Sequence, residues 1–223
     1  MTTSATAGRS VMLLGATGLV GRECLRLLLA DPGVTRIVAL TRRPLDDQAL
    51  WPKLHVEIVD FDRLADRGEL FGVDQIFCAL GTTIKKAGSR DAFRRVDFTY
   101  PLTAAKLGAE RGVRHFLLVS ALGASAESRI FYNRVKGQLE DALRTLPYPS
   151  VTIVRPSLLV GDREEFRLGE ELGKRVGWLA PGKFKPVSAT HVAAALVRAA
   201  QDDAPGLHIL ESNDIPVAAA ADG

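Results

Sequence analysis

The stretch Gly15-Ala16-Thr17-Gly18-Leu19-Val20-Gly21 sets three glycines at three-residue intervals directly behind an apolar run, Val11-Met12-Leu13-Leu14. Glycine weakens a helix by about 1 kcal/mol relative to alanine. Yet this stretch leads into a helical pattern in which Cys24, Leu25, Leu28 and Leu29 share one stripe. A glycine triplet alone is a weak signal, but a buried strand, a glycine turn and an amphipathic helix in that order form a phosphate-binding arrangement. On this reading Gly15 allows the tight turn, Gly18 the close approach of a pyrophosphate, and Gly21 close packing of helix on sheet. The free N–H groups of Thr17, Gly18, Leu19 and Val20, with the positive helix end, then hold the phosphates. The plainer reading is a tight turn without a ligand.

The rest of the chain repeats the strand signal. Apolar runs recur at 11–15, 36–41, 55–60, 75–80, 114–120, 151–155 and 206–210, and most are continuous rather than alternating. Strands buried on both faces read this way and belong to parallel sheets. Helical patterns separate them, over 89–111, 126–146 and 188–202. Pro101 should bend or break the first of these, and Ser188 is a candidate N-cap for the last. Alternating strands and helices predict an α/β, doubly wound, mostly parallel seven-stranded sheet. A length of 223 residues predicts one domain, with residues 1–8 and 217–223 as loose tails. Residues 157–186 show no strand pattern and are expected to form a small C-terminal substrate lobe.

Composition narrows the classes of function. Hydrophobic residues at 47% and charged residues at 25% describe a chain that folds around a core rather than a disordered one. A net charge of +3 without a long basic run argues against nucleic acid as a partner. The apolar runs are too short for a membrane span, and the start MTTSATAGRS lacks the apolar core of a secretory signal. A cytoplasmic location is therefore expected, and no disulfide between Cys24 and Cys78. The four histidines are too scattered for a metal site.

The second strand ends in Leu40-Thr41-Arg42-Arg43-Pro44, where NAD sites place a carboxylate for the ribose hydroxyls. Two guanidiniums suit a 2′-phosphate instead, so NADPH (NADP) is expected in preference to NAD. Solvation of the two arginines is the plainer reading. After the third strand, Asp60 in Asp60-Phe61-Asp62 is placed either to accept from an adenine amino group or to cap the next helix.

A second constellation follows the fifth run. Ser120 ends Phe116-Leu117-Leu118-Val119-Ser120, and Tyr132 and Lys136 share a helix face at i and i+4. Open α/β sheets place their sites at the carboxyl ends of strands, where Ser120 falls. A phenol is a poor acid–base at neutral pH, and a neighbouring ammonium favours its anion. Serine, tyrosine and lysine so spaced suit carbonyl reduction, against the alternative of a surface helix pair.

With these motifs the chain resembles the short-chain dehydrogenase/reductase superfamily, in its extended or atypical branch. Leu80-Gly81-Thr82-Thr83 and the later Val96-Asp97 make it most similar to the Tat-interacting-reductase-like, NAD(P)-binding group, over about residues 11–210. The resemblance implies a Rossmann-type fold with NADPH at the strand ends, Tyr132 as proton donor, Lys136 on the nicotinamide ribose and Ser120 orienting the carbonyl. It implies that Phe61 accompanies Asp60 near the adenine. It further implies that Ala79, Leu80 and Gly81 line the cofactor and that Arg155-Pro156 approaches the nicotinamide. Many members carry an asparagine that supports a proton-relay water where this chain has Asp97. The expected activity is NADPH-dependent reduction of a small carbonyl compound, or the reverse. Its rivals are an NADPH-binding sensor acting through a regulatory protein partner, and an epimerase or dehydratase. A homodimer paired through helices is a further expectation.

Overall fold

The computed structural model describes residues 8–45, 50–160 and 186–215. Its strands are β1 Arg9–Leu14, β2 Val34–Thr41, β3 Leu54–Ile58, β4 Gln75–Cys78, β5 His115–Val119, β6 Ser150–Arg155, β7 Leu159–Val160, β8 Val187–Ser188 and β9 Gly206–Glu211. The helices are α1 Leu19–Ala30, α2 Ile84–Ala87, α3 Arg90–Arg94, α4 Tyr100–Glu110, α5 Phe131–Arg144 and α6 Ala189–Asp202. Seven strands form one sheet in the order β3-β2-β1-β4-β5-β6-β9, and every neighbouring pair is parallel. The chain winds outward from β1 to β3, then returns to lay β4 on the other side of β1. That reversal is the switch point where open α/β sheets bind ligands.

Burial explains why the strands read as continuous apolar runs. Val11 and Leu13 face one core, with Val20, Cys24 and Leu28 of α1 and Val192 and Leu196 of α6. Met12 and Leu14 face the other, with Ala104 and Ala105 of α4 and Leu139 and Leu143 of α5. Both faces are covered, so neither set of alternating positions is free to be polar. Ser188 caps α6 as expected, accepting from the His191 N–H at 3.2 Å.

Pro101 is expected to bend or break the 89–111 helix, and the irregularity lies just before it: α3 and α4 are joined by a π-turn, Arg95–Thr99. Pro101 has no N–H to close a regular turn onto the Asp97 carbonyl, and the backbone widens just before it. The 126–146 helix begins only at Phe131. Ahead of it, serine hydroxyls accept from nearby backbone, Ser125 from Glu127 and Ser128 from Ile130, and so compete with helix. The segment 157–186 does carry a strand: β7 pairs with β8 through Leu159 and Val187. The remainder of that expected lobe, residues 161–185, lies outside the described residues, as do both expected tails save Gly8.

Helix α5 packs closely on the loop that precedes it. A methyl group added at Gly137 would overlap the backbone of Ser125 and Ala126. Gly137→Ala is expected to destabilise the protein by about 1–3 kcal/mol, because backbone cannot give way as a side chain can. Thermal unfolding checks this, at about 2–4 °C per kcal/mol for a chain of this size. Gly72→Ala, where nothing lies within 4 Å, is the control and should hardly move the midpoint.

Candidate active site

The glycine turn sits at the switch point. Gly15 adopts φ +85°, and a Cβ there would lie 2.6 Å from the Ala79 carbonyl oxygen and 2.9 Å from Leu80 N. Only glycine lets the end of β1 approach the loop after β4 so closely. The Gly18 N–H donates to the Gly15 carbonyl at 3.0 Å, so this amide closes the turn and is not available to a phosphate as expected. Leu19, Val20 and Gly21 form the first turn of α1, which has no side-chain cap and no acidic residue. Gly21 also departs from its expected role. A side chain there would strike Gly15 and Ala16, so it serves helix-on-turn rather than helix-on-sheet packing. Gly18 has no such reason within the protein. Its φ is −78°, and an added Cβ would meet only Gly15 O, at 3.4 Å.

Arg42 and Arg43 are exposed at the carboxyl end of β2, beside this turn, and Thr41 Oγ1 donates to the Arg43 carbonyl at 2.7 Å. Asp60 is exposed and caps the following 3-10 segment, Phe61–Phe71, accepting from the Asp62 N–H at 3.0 Å. Phe61 is buried, with its ring 5.4 Å from that of Tyr100, so it belongs to the core rather than to an open adenine surface. Ala79, Leu80 and Gly81 run from β4 across the switch point. Pro156 is buried and its carbonyl accepts from the Leu122 N–H at 2.8 Å, joining the loops after β5 and β6.

Tyr132 and Lys136 lie one turn apart in α5, with the Tyr132 ring 5.4 Å from that of Phe93. Lys136 is 3% exposed, and its Nζ lies 2.8 Å from Asp97 Oδ1. Asp97, fully buried in the π-turn, accepts from the Thr82 N–H through Oδ2 at 2.9 Å. Burial works against the Lys136 charge, but Asp97 and then Tyr132 outweigh it, and the pKa is pushed up to about 12. Burial likewise raises the Asp97 carboxyl, with Lys136 opposing.

Ser120 does not join this pair. Its hydroxyl donates to Glu140 Oε1, and the residue is 4% exposed. The expected role of orienting a carbonyl would need this donor, which is here directed to a buried carboxylate. Glu140 also receives Arg155, Nε at 3.1 Å on Oε1 and Nη2 at 2.5 Å on Oε2, and Arg155 reaches Glu211 at 2.7 Å. Arg155 is thus turned to carboxylates. Glu140 and Gly137 were missed in the sequence, although each left a signal. Glu140 extends the Tyr132–Lys136 face by one turn among apolar neighbours, and a glycine inside a helix needs a reason.

A parallel doubly wound sheet with a glycine turn at its switch point defines a Rossmann-type nucleotide-binding protein. A family model described as NAD(P)H-binding matches residues 15–203, and the chain belongs to that family. Among its relatives, protein HTATIP2 of Rattus norvegicus is 37% identical over 169 residues, which is 75% of this chain and 69% of that protein. The mitochondrial protein FMP52 of Candida albicans is 34% identical over 202 residues, 86% of this chain and 88% of that protein. The solved structure of Bordetella bronchiseptica WbmH in complex with NAD+ superposes with a TM-score of 0.70 at 14% identity, covering 92% of this chain and 76% of that one. At that identity the likeness shows the fold alone. The FMP52 relatives are named mitochondrial, which overturns the expected cytoplasmic location.

Two outcomes follow from the buried charges. Arg155→Met should cost about 3–5 kcal/mol in urea unfolding, because Glu140 is left buried without its cation. The Lys136 pKa, about 12, lies above its ordinary 10.5, so the folded state holds this proton more tightly. That contribution, about 2 kcal/mol, is complete below the unfolded value and is lost as pH rises through the folded one. Stability of wild type should fall between pH 10.5 and 12 more steeply than that of Lys136→Met.

Proposed function

We propose that this chain binds NADP(H) in preference to NAD(H) and reduces a small carbonyl compound, or oxidises the matching alcohol, with Tyr132 as proton donor. The observation that carries the reading is the pairing of Tyr132 with a buried, charged Lys136 on one face of α5, next to the loop that leaves the switch point.

The residues present fit a dinucleotide. At Gly18 the protein leaves open the space a side chain would take. The first turn of α1 presents uncapped N–H groups with no acidic side chain to repel a diphosphate. Arg42 and Arg43 stand at the neighbouring strand end, where their planar forks suit a 2′-phosphate. When bound, the nicotinamide supplies or accepts a hydride at carbon. Lys136 would hold the ribose through N–H groups not directed at Asp97. Tyr132 gives its phenolic proton to the substrate oxygen and takes one back in the reverse direction. The nearby ammonium stabilises negative charge developing on the phenolic oxygen.

The commitment of Ser120 to Glu140 favours a second reading, in which the NADP(H)-bound chain works mainly through a protein partner and turns over slowly. Tyr132→Phe separates the two. The enzymatic reading requires cofactor affinity to survive while turnover on aldehydes and quinones drops about 10²-fold or more. Wild type that binds NADPH and reduces none of them would decide for the second reading. Replacing Arg42 and Arg43 together by serine should weaken NADPH at least about tenfold more than NADH, since charge-assisted bonds to phosphate are lost. Equal losses would remove the cofactor preference.

A further inference from the structure

We propose that Asp97 is a positioning residue for Lys136: its carboxylate fixes the ammonium beneath the loop after β4 and ties that loop to α5. The proposal draws on the functional reading above for what Lys136 holds, but the Asp97–Lys136 coupling is testable without it.

Pro101 widens the helix before it into a π-turn around Asp97. The two carboxylate oxygens then take two different elements. Oδ2 accepts from the Thr82 N–H at 2.9 Å, and Oδ1 lies 2.8 Å from Lys136 Nζ. The Oδ1 contact is an ion pair between a buried ammonium and a buried carboxylate. An ammonium 3% exposed and without an anion would carry a penalty of several kcal/mol. The groups that act on it are few. Tyr132 faces it from its own helix, Cys78 from β4 and Asp97 from the π-turn. Burial pushes the Cys78 thiol up to about 11, so it stays neutral at physiological pH. Glu140, one turn further along α5, is taken by Ser120 and Arg155. Asp97 thus supplies the compensating charge among the described residues.

Gly81 completes the arrangement. It is exposed, and a Cβ there would lie 3.5 Å from Asp97 Oδ1 and 3.8 Å from Lys136 Nζ. A side chain there would rest in van der Waals contact with the buried pair. An asparagine at 97 would still accept from Thr82 but would not neutralise Lys136. Asp97 therefore supplies a charge that an asparagine at this position would not.

The test is a titration of Lys136 in the full chain without cofactor, by NMR of lysine labelled with 13C at Cε, the signal assigned with Lys136→Arg. In Asp97→Asn the midpoint should fall by about two pH units, a hundredfold loss of proton affinity, and Asp97→Glu should recover most of it. Calorimetry with NADPH should then show Asp97→Asn losing about tenfold in affinity near pH 11 but under about twofold near pH 8. An unchanged Lys136 midpoint in folded Asp97→Asn overturns the proposal. Should Asp97→Asn fail to fold, the double variant with Lys136→Met decides: recovery of the fold supports the charge role, and continued failure overturns it. Wild type that shows no NADPH binding defeats the functional reading instead, and leaves the lysine titration to decide this one.

Discussion

Gly15 and the Ala79 carbonyl meet at a distance that no side chain would permit, and the rest of the site is arranged around that contact. It closes the gap between β1 and β4 where the winding of the sheet reverses. It also aims the first turn of α1 across the loop that Asp97 holds from the other side. A glycine is costly in the unfolded state, since it surrenders more freedom than any other residue on folding. Two further glycines are kept within six residues, one demanded by packing and one not. The one not demanded, Gly18, is the residue whose identity points outward to a ligand.

Helix α5 is fixed twice on one face. Lys136 is held to the π-turn by Asp97, and Glu140, a turn later, is held to the ends of β5 and β6 by Ser120 and Arg155. Buried charge of this kind adds little net stability, because desolvation offsets most of the attraction. What it supplies is uniqueness of placement. A helix seated only by Leu139 and Leu143 could rotate or slide by a fraction of a turn at small cost. One seated by two buried charges cannot do so without stranding an ion.

Much of this was legible in the sequence. The seven strands and the covering helices follow from apolar runs that leave neither face polar, and the glycine spacing locates the turn. The Tyr132–Lys136 face follows from helical periodicity alone. What escaped depends on partners distant in the chain. Ser120 at a strand end looks free until Glu140, twenty residues on, takes its hydroxyl. Asp97 looks like a departure from a pattern until Thr82 and Lys136 are seen to meet it. The cytoplasmic expectation failed for a different reason: location is read by cellular machinery, and composition carries little of that information.

The notch at Gly137 sets a limit on how this architecture can diversify. The backbone at Ser125 and Ala126 lies where any larger residue would need to be, so loop and helix form one inseparable block behind Tyr132. That wall cannot be remodelled by single side-chain replacements at its centre. Variation in this part of the fold must therefore come at other positions, leaving the contact between helix and loop unchanged.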